Sequence, residues 1–201
     1  MKSARQRAIE IIKKSGGLIR TNEALTQGIH RRTLYGLRDD GMITAISRGL
    51  FQLSDLDIPT HVGLAEVSKR VPKGVVCLIS ALAFHELTTQ TPHYVWLAVD
   101  RKARKPRIDY PPVRVFFFTG GAFTRGIEPH QIMGQNVQIY SAPKTVIDCF
   151  RWRDAVGLDV AIEAARQYLK RPESAASELM EYAKICKVES LVRPYLQAIT
   201  T

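Results

Sequence analysis

The chain has 201 residues, 45% of them apolar and 24% charged, the balance of an ordinary globular protein long enough for one large or two small cores. No apolar run approaches the roughly 18 residues of a membrane span, which excludes an integral helical membrane protein. The net charge of +10 is uneven: residues 1–53 carry +6, residues 54–120 carry +3 and residues 121–201 carry +1. The basic excess that attracts polyanions therefore sits in the first quarter.

The opening, "MKSARQRAIEIIKKSGG", is charged and helical in pattern, without the apolar region and cleavage site of a secretory signal. Ala4, Ala8, Ile9, Ile11 and Ile12 share one face, so residues 3–14 are expected to be a helix, stopped by Gly16 and Gly17. Leu18 to Arg20 reads as an extended link. Thr21 is placed to cap a second helix with Ala24 and Leu25 facing inward, and Gly28 breaks it. Arg31 to Asp40 form a third helix, with Leu34 and Leu37 inward, Tyr35 at its flank and Gly41 ending it. Met42–Ile46 and Leu50–Leu53 are strand-like and join across Ser47-Arg48-Gly49 as a hairpin.

"SDLDIPT" (54–60) is the best boundary, being acidic and turn-rich, and divides residues 1–54 from 61–201. Beyond it a helix is expected over His61–Val71 and a buried strand over Val75–Ile79. Ser80 then caps a helix Ala81–Leu87, and strands follow at Tyr94–Val99 and Val113–Phe118 around the basic loop 101–107. Residues 132–141 read as two strands around Gly134-Gln135-Asn136. From Pro143 the pattern is helical, over about residues 143–153, 158–170, 173–186 and 188–199. The expected fold is α+β: an N-terminal winged helix-turn-helix, then a mixed α/β domain with a helical C-terminal part.

A basic third helix after a short turn suits the DNA major groove, where arginine pairs in bidentate fashion with guanine. Arg31, Arg32 and Thr33 occupy its N-terminal end, the part that approaches base edges. Tyr35 lies beside them, and Arg38, two turns on, is placed to reach a phosphate or a base. Arg48 stands at the hairpin tip, as a wing residue does, and Lys13 and Lys14 are weaker phosphate candidates. In the loop 101–107, Arg101, Lys102, Arg104, Lys105 and Arg107 form a candidate second phosphate contact.

"LTQGIHRRTLYGLRDDGMITAISRGLFQL" (25–53) resembles the N-terminal domain of the AbiEi-type antitoxins, abortive-infection regulators that read "GI.RRTLYRL...G.I..V.RGLY.L" in this stretch. Phe51 stands where the family has tyrosine. "GVVCLISALAFHELT" (74–88) and "VQIYSAPKTVIDCF" (137–150) are similar to later segments of the family, and the last 50 residues share only their helical character. The resemblance implies a DNA-binding autorepressor with a C-terminal antitoxin domain; the operator is expected to be an inverted repeat. It also implies a nucleotidyltransferase-like toxin as functional partner, opposed without stable binding, and so a type IV toxin–antitoxin or phage-defence role. A regulator without a toxin shares the same architecture. A monomer or weak self-association is expected, because no heptad seam is visible.

Enzyme chemistry finds less support. Ser80 lacks the G-x-S-x-G elbow of a hydrolase, and His85 and Glu86, adjacent on a helix, point about 100° apart. His30, His61, His85, His93 and His130 form no metal-binding spacing, and "TGGAF" (119–123) lacks the Gly-Lys-Ser/Thr of a phosphate loop. Asp100 with Lys102 imitates half of a metal-dependent nuclease site, without a partner carboxylate. Cys77, Cys149 and Cys186 each sit in an apolar run and read as reduced core thiols, in keeping with a cytoplasmic protein. Lys144 and Asp148, spaced i,i+4, read as a helix-surface ion pair worth a few tenths of a kcal/mol. The family pattern contains both, which also makes them antitoxin-domain candidates. No enzyme activity, cofactor or metal is expected.

Overall fold

The computed structural model describes residues 3–15, 17–54, 61–108 and 110–200, without the side chains of Ser47 and Thr200. The chain divides into two compact units, Met1–Thr60 and His61–Thr201. Most of the expected boundary segment, residues 55–60, lies outside the described residues, as does Gly16. Among the described residues, no helix is long and apolar enough to cross a membrane.

The first unit runs α1 (Ala4–Lys14), β1 (Leu18–Arg20), α2 (Thr21–Thr26), α3 (Arg31–Asp39), β2 (Ile43–Ser47) and β3 (Leu50–Leu53). Ser3 and Gln6 close a reciprocal capping box at the start of α1, with N···O distances of 3.2 and 2.9 Å. The strands form an antiparallel sheet in the order β1-β3-β2, and the helices bury Ile12, Ala24, Leu34 and Leu37 against Ile19, Ile43 and Phe51. Three helices, a turn and a hairpin in this order make a winged helix-turn-helix.

Three local expectations are corrected here. Leu18–Arg20 is a strand, held because it pairs with β3 from Leu18↔Gln52 to Arg20↔Leu50. Thr21 is the first residue of α2 and makes no capping bond; its hydroxyl donates to the Gly49 carbonyl at 3.2 Å. Leu25 is 39% exposed, so Ala24 alone of that pair faces the core.

The second unit begins with α4 (Val62–Arg70), β4 (Val75–Val76), α5 (Leu78–Phe84), β5 (Val95–Asp100), β6 (Val113–Phe118) and α6 (Gly121–Thr124). It continues through β7 (Ile127–Ile132), β8 (Gln135–Tyr140), α7 (Ala142–Arg151), α8 (Arg153–Val156), α9 (Leu158–Leu169), α10 (Ala176–Ile185) and α11 (Glu189–Thr200). A mixed sheet in the order β6-β5-β4-β8-β7 lies at its centre, parallel at β5–β6 and β4–β8 and antiparallel elsewhere. Strand alternation sends side chains to two separate apolar clusters. Trp96, Ala98, Phe116 and Phe118 join the cluster of α5, α7 and α9, and Leu97, Val99, Val137 and Ile139 join that of α4.

The expected strand Val75–Ile79 is only two residues long, because Cys77 already acts as the N-cap of α5. Ser80 is therefore no cap. It is buried on α5, where its hydroxyl donates to the Tyr94 carbonyl at 3.2 Å and accepts from the Trp96 N–H at 3.0 Å. His85 and Glu86 lie past the end of α5 rather than on it, with Glu86 at φ +56°. The turn between β7 and β8 falls at Met133-Gly134, and β7 starts five residues before the expected position.

Candidate nucleic-acid interface

The site is built on α3. Gly28, at φ +86°, turns the chain between α2 and α3; an added Cβ meets nothing within 4 Å there, so the backbone conformation and not space calls for glycine. Ile29 anchors the turn, buried, with its N–H on the Ala24 carbonyl at 2.8 Å. His30 then caps α3: its backbone is extended and its ring Nδ1 accepts the Arg32 N–H at 3.2 Å. Leu34 and Leu37 are fully buried and Tyr35 packs edge-on to Phe51 at 5.7 Å, which fixes the inner face of the helix. Arg31 and Arg32 are left exposed on the outer face, with Thr33 half-buried beside them.

Charge along α3 is polarised. Among the described residues no carboxylate pairs with Arg31 or Arg32, and the positive end of the helix dipole lies beside them. At the other end the acids are taken. Arg38 donates through Nε and Nη2 to Asp39 Oδ1 at 2.9 and 2.7 Å, with its guanidinium 4.9 Å from the Tyr35 ring centre. Arg5 of α1 reaches across Gly36 to Asp40 at 2.6 Å. Lys13 and Lys14 are exposed in the last turn of α1.

Arg48 is exposed in the two-residue turn between β2 and β3. Gly49, at φ +73°, completes that turn, and its carbonyl accepts both the N–H of Thr21 at 2.8 Å and the Thr21 hydroxyl. The hairpin tip is thus tied to the start of α2. Neither this anchor nor the His30 cap was among the expected site features. The only sequence signal for them is a histidine at the N-cap position and a threonine where a cap was expected.

In the second unit Arg101, Lys102, Arg104, Lys105 and Arg107 are all exposed, and none has an ion-pair partner among the described residues. Asp100 spends its Oδ1 on the Lys102 N–H at 2.8 Å, a strand-end turn. No group of three metal-ligating side chains exists among the described residues. His85 directs Nε2 at the Tyr140 carbonyl, 2.7 Å away, while Ser80 bonds elsewhere, so the two make no catalytic pair. Burial lowers the His85 pKa, and the three free, buried cysteines are pushed up, Cys186 to about 11, which suppresses thiolate chemistry.

Lys144 and Asp148 correct a further expectation. They pair, but with both side chains at 0% exposure they form a buried ion pair and not a surface one. The Lys144 Nζ donates to Asp148 Oδ2 and lies 4.2 Å from the Tyr140 ring centre; Cys186 Sγ stands 3.6 Å from Asp148 Oδ1. Burial pushes the Asp148 carboxyl above the usual carboxylate range, and the adjacent ammonium pulls it partly back.

Residues 6–54 match the model of a family described as transcriptional regulator, AbiEi antitoxin, the family whose resemblance residues 25–53 carry. No curated protein matches the chain at a significant level. Among solved structures, the crystal structure of the Rv2827c protein from Mycobacterium tuberculosis is similar, with a TM-score of 0.56 at 12% identity over 98% of this chain and 82% of that one. At that identity the likeness is one of fold.

Proposed function

We propose that the protein is a DNA-binding transcriptional autoregulator that serves as the antitoxin of a type IV toxin–antitoxin pair. The observation that carries the reading is the presentation of Arg31 and Arg32. Both are exposed, with no carboxylate partner among the described residues, at the N-terminus of a helix whose other face is fixed in the core. In the major groove these two would read base edges, with Thr33 and Tyr35 beside them. Arg38 would contribute a phosphate contact once released from Asp39, and Lys13, Lys14 and Arg48 would bind phosphate or a narrow minor groove. The loop 101–107 supplies a second basic surface. The match of residues 6–54 to antitoxin regulators supports the regulatory role, and the nucleotidyltransferase-like toxin follows from the resemblance.

Gel shifts on the promoter region of the gene test this. Arg31→Ala and Arg32→Ala are each expected to cost about 1–3 kcal/mol on the operator and to relax preference at one base pair. Equal losses on operator and random duplex would make them phosphate contacts. Unchanged binding by both variants would overturn α3 as the reading element. A neighbouring nucleotidyltransferase gene, toxic alone and tolerated with this protein, tests the antitoxin role.

A further inference from the structure

We propose that His30 is a specificity-determining residue of this surface, donating a hydrogen bond from Nε2–H to an acceptor on the bound duplex. The proposal rests on the reading of α3 as the groove-facing helix. Nδ1 of His30 accepts the Arg32 N–H at 3.2 Å, which it does only with its lone pair free. In the neutral ring the proton then lies on Nε2. The capping bond therefore sets the tautomer, and the second nitrogen of this exposed ring is a donor.

Capping alone does not call for histidine. Asparagine, aspartate, serine and threonine satisfy the same amide at this position. What histidine adds is the second nitrogen, beyond the atom that caps. His30 directly precedes Arg31 and Arg32 in the chain, and among the described residues neither arginine has an ion-pair partner. The two arginines are long and must be ordered on binding, whereas the His30 ring is already held by its cap. A pre-organised donor loses little entropy when it engages, so it suits discrimination between acceptors. The acceptor chemistry is an oxygen or ring nitrogen without a proton: purine N7 on a base edge, or a phosphate oxygen.

The test uses the full-length protein and the promoter duplex it protects in footprinting. His30→Asn keeps the cap and removes the outer donor; His30→Ala removes both. His30→Asn is expected to unfold at the wild-type temperature and to bind that duplex roughly two- to tenfold more weakly, the loss of one hydrogen bond. His30→Ala should show the same binding loss together with a lower unfolding temperature. Scanning 7-deazapurines and methylphosphonates through the duplex locates the acceptor. A single substitution that weakens wild type but not His30→Asn identifies it, as base edge in the first series and phosphate in the second. If no substitution separates the two proteins, or if His30→Asn binds as wild type while Arg31→Ala and Arg32→Ala are weakened, the His30 assignment is overturned and α3 stands. If the arginine variants also bind as wild type, the reading of α3 itself fails.

Discussion

A charge without water around it must be held by another charge, and Lys144 and Asp148 hold each other at the centre of α7. Removing one partner of such a pair strands the other, which costs about 3–5 kcal/mol, whereas replacing both by apolar groups of similar volume is close to neutral. Lys144→Met is therefore expected to destabilise the protein by that amount, and Lys144→Met with Asp148→Leu to recover most of it. The pH dependence carries a second expectation. Asp148 holds its proton more tightly in the folded protein than in the unfolded chain, where its pKa is about 3.9. This group's contribution is fully present below that value and is lost as pH rises through the raised folded pKa. Without the Lys144 ammonium that folded pKa moves higher still, so the decline in Lys144→Met should extend to higher pH than in wild type. Urea unfolding at stepped pH reads both effects; a Lys144→Met protein as stable as wild type at pH 7 would mean the pair is not closed off from water. An i,i+4 spacing has the same letters on a surface and in a core, which is why burial here was not legible from residues 144 and 148 alone. Any part the pair plays in an antitoxin domain would run through the fold, since neither side chain reaches solvent.

Between residue and molecule, the hairpin of β2 and β3 shows what positions a wing. One extra residue, Ile46, bulges between the pairs Ala45↔Phe51 and Ser47↔Leu50, and the turn closes on Gly49. The Gly49 carbonyl is then fixed by two donors of Thr21. A methyl group at Gly49 must adopt φ near +73° and would stand 3.3 Å from the Thr21 hydroxyl oxygen. Gly49→Ala should thus cost about 1–2 kcal/mol of stability and loosen the tip. It should weaken DNA binding in an otherwise wild-type protein, yet add nothing to Arg48→Ala, because its effect passes through that side chain. Additive losses in fluorescence anisotropy would place the effect elsewhere, in α2 or α3. The helices of this unit were readable because apolar spacing and glycine breaks agree with one another, down to Gly28 and Gly41. The short strands were less legible: β1, of three residues, reads only as an extended link, and β4, expected over Val75–Ile79, holds two residues, and each exists because a neighbouring strand pairs with it. The cap of α3 was hidden for a different reason, since histidine is not among the side chains that announce an N-cap.

For the whole molecule the question is which part of the proposed function each of the two compact units would carry. The first carries +6 in residues 1–53, and the second holds a basic loop in a remainder of small net charge. Non-specific affinity for DNA grows with the number of phosphates neutralised, and each adds about −0.9 to the slope of log K against log salt. If the loop 101–107 is a second phosphate contact, replacing its five cations by alanine in the full chain should flatten that slope by several units while leaving base preference intact, because the proposed function assigns preference to α3. A fragment of residues 1–60 should then show the same base preference with weaker binding and the same flattened slope. At that size it buries only about 60% of its unfolded surface and will be marginally stable, so it should be compared at low temperature. Residues 61–201, which hold a five-stranded sheet covered by helices, should fold alone. If the proposed antitoxin role holds, they should leave the promoter unrepressed and still relieve, at least in part, the toxicity of a nucleotidyltransferase-like toxin encoded beside the gene. Measuring repression and survival for each fragment beside the full chain decides the matter. Rescue by residues 1–60, or by neither fragment while both are folded, would sink this division of labour, and an unchanged salt slope in the loop variant would remove residues 101–107 from the DNA contact.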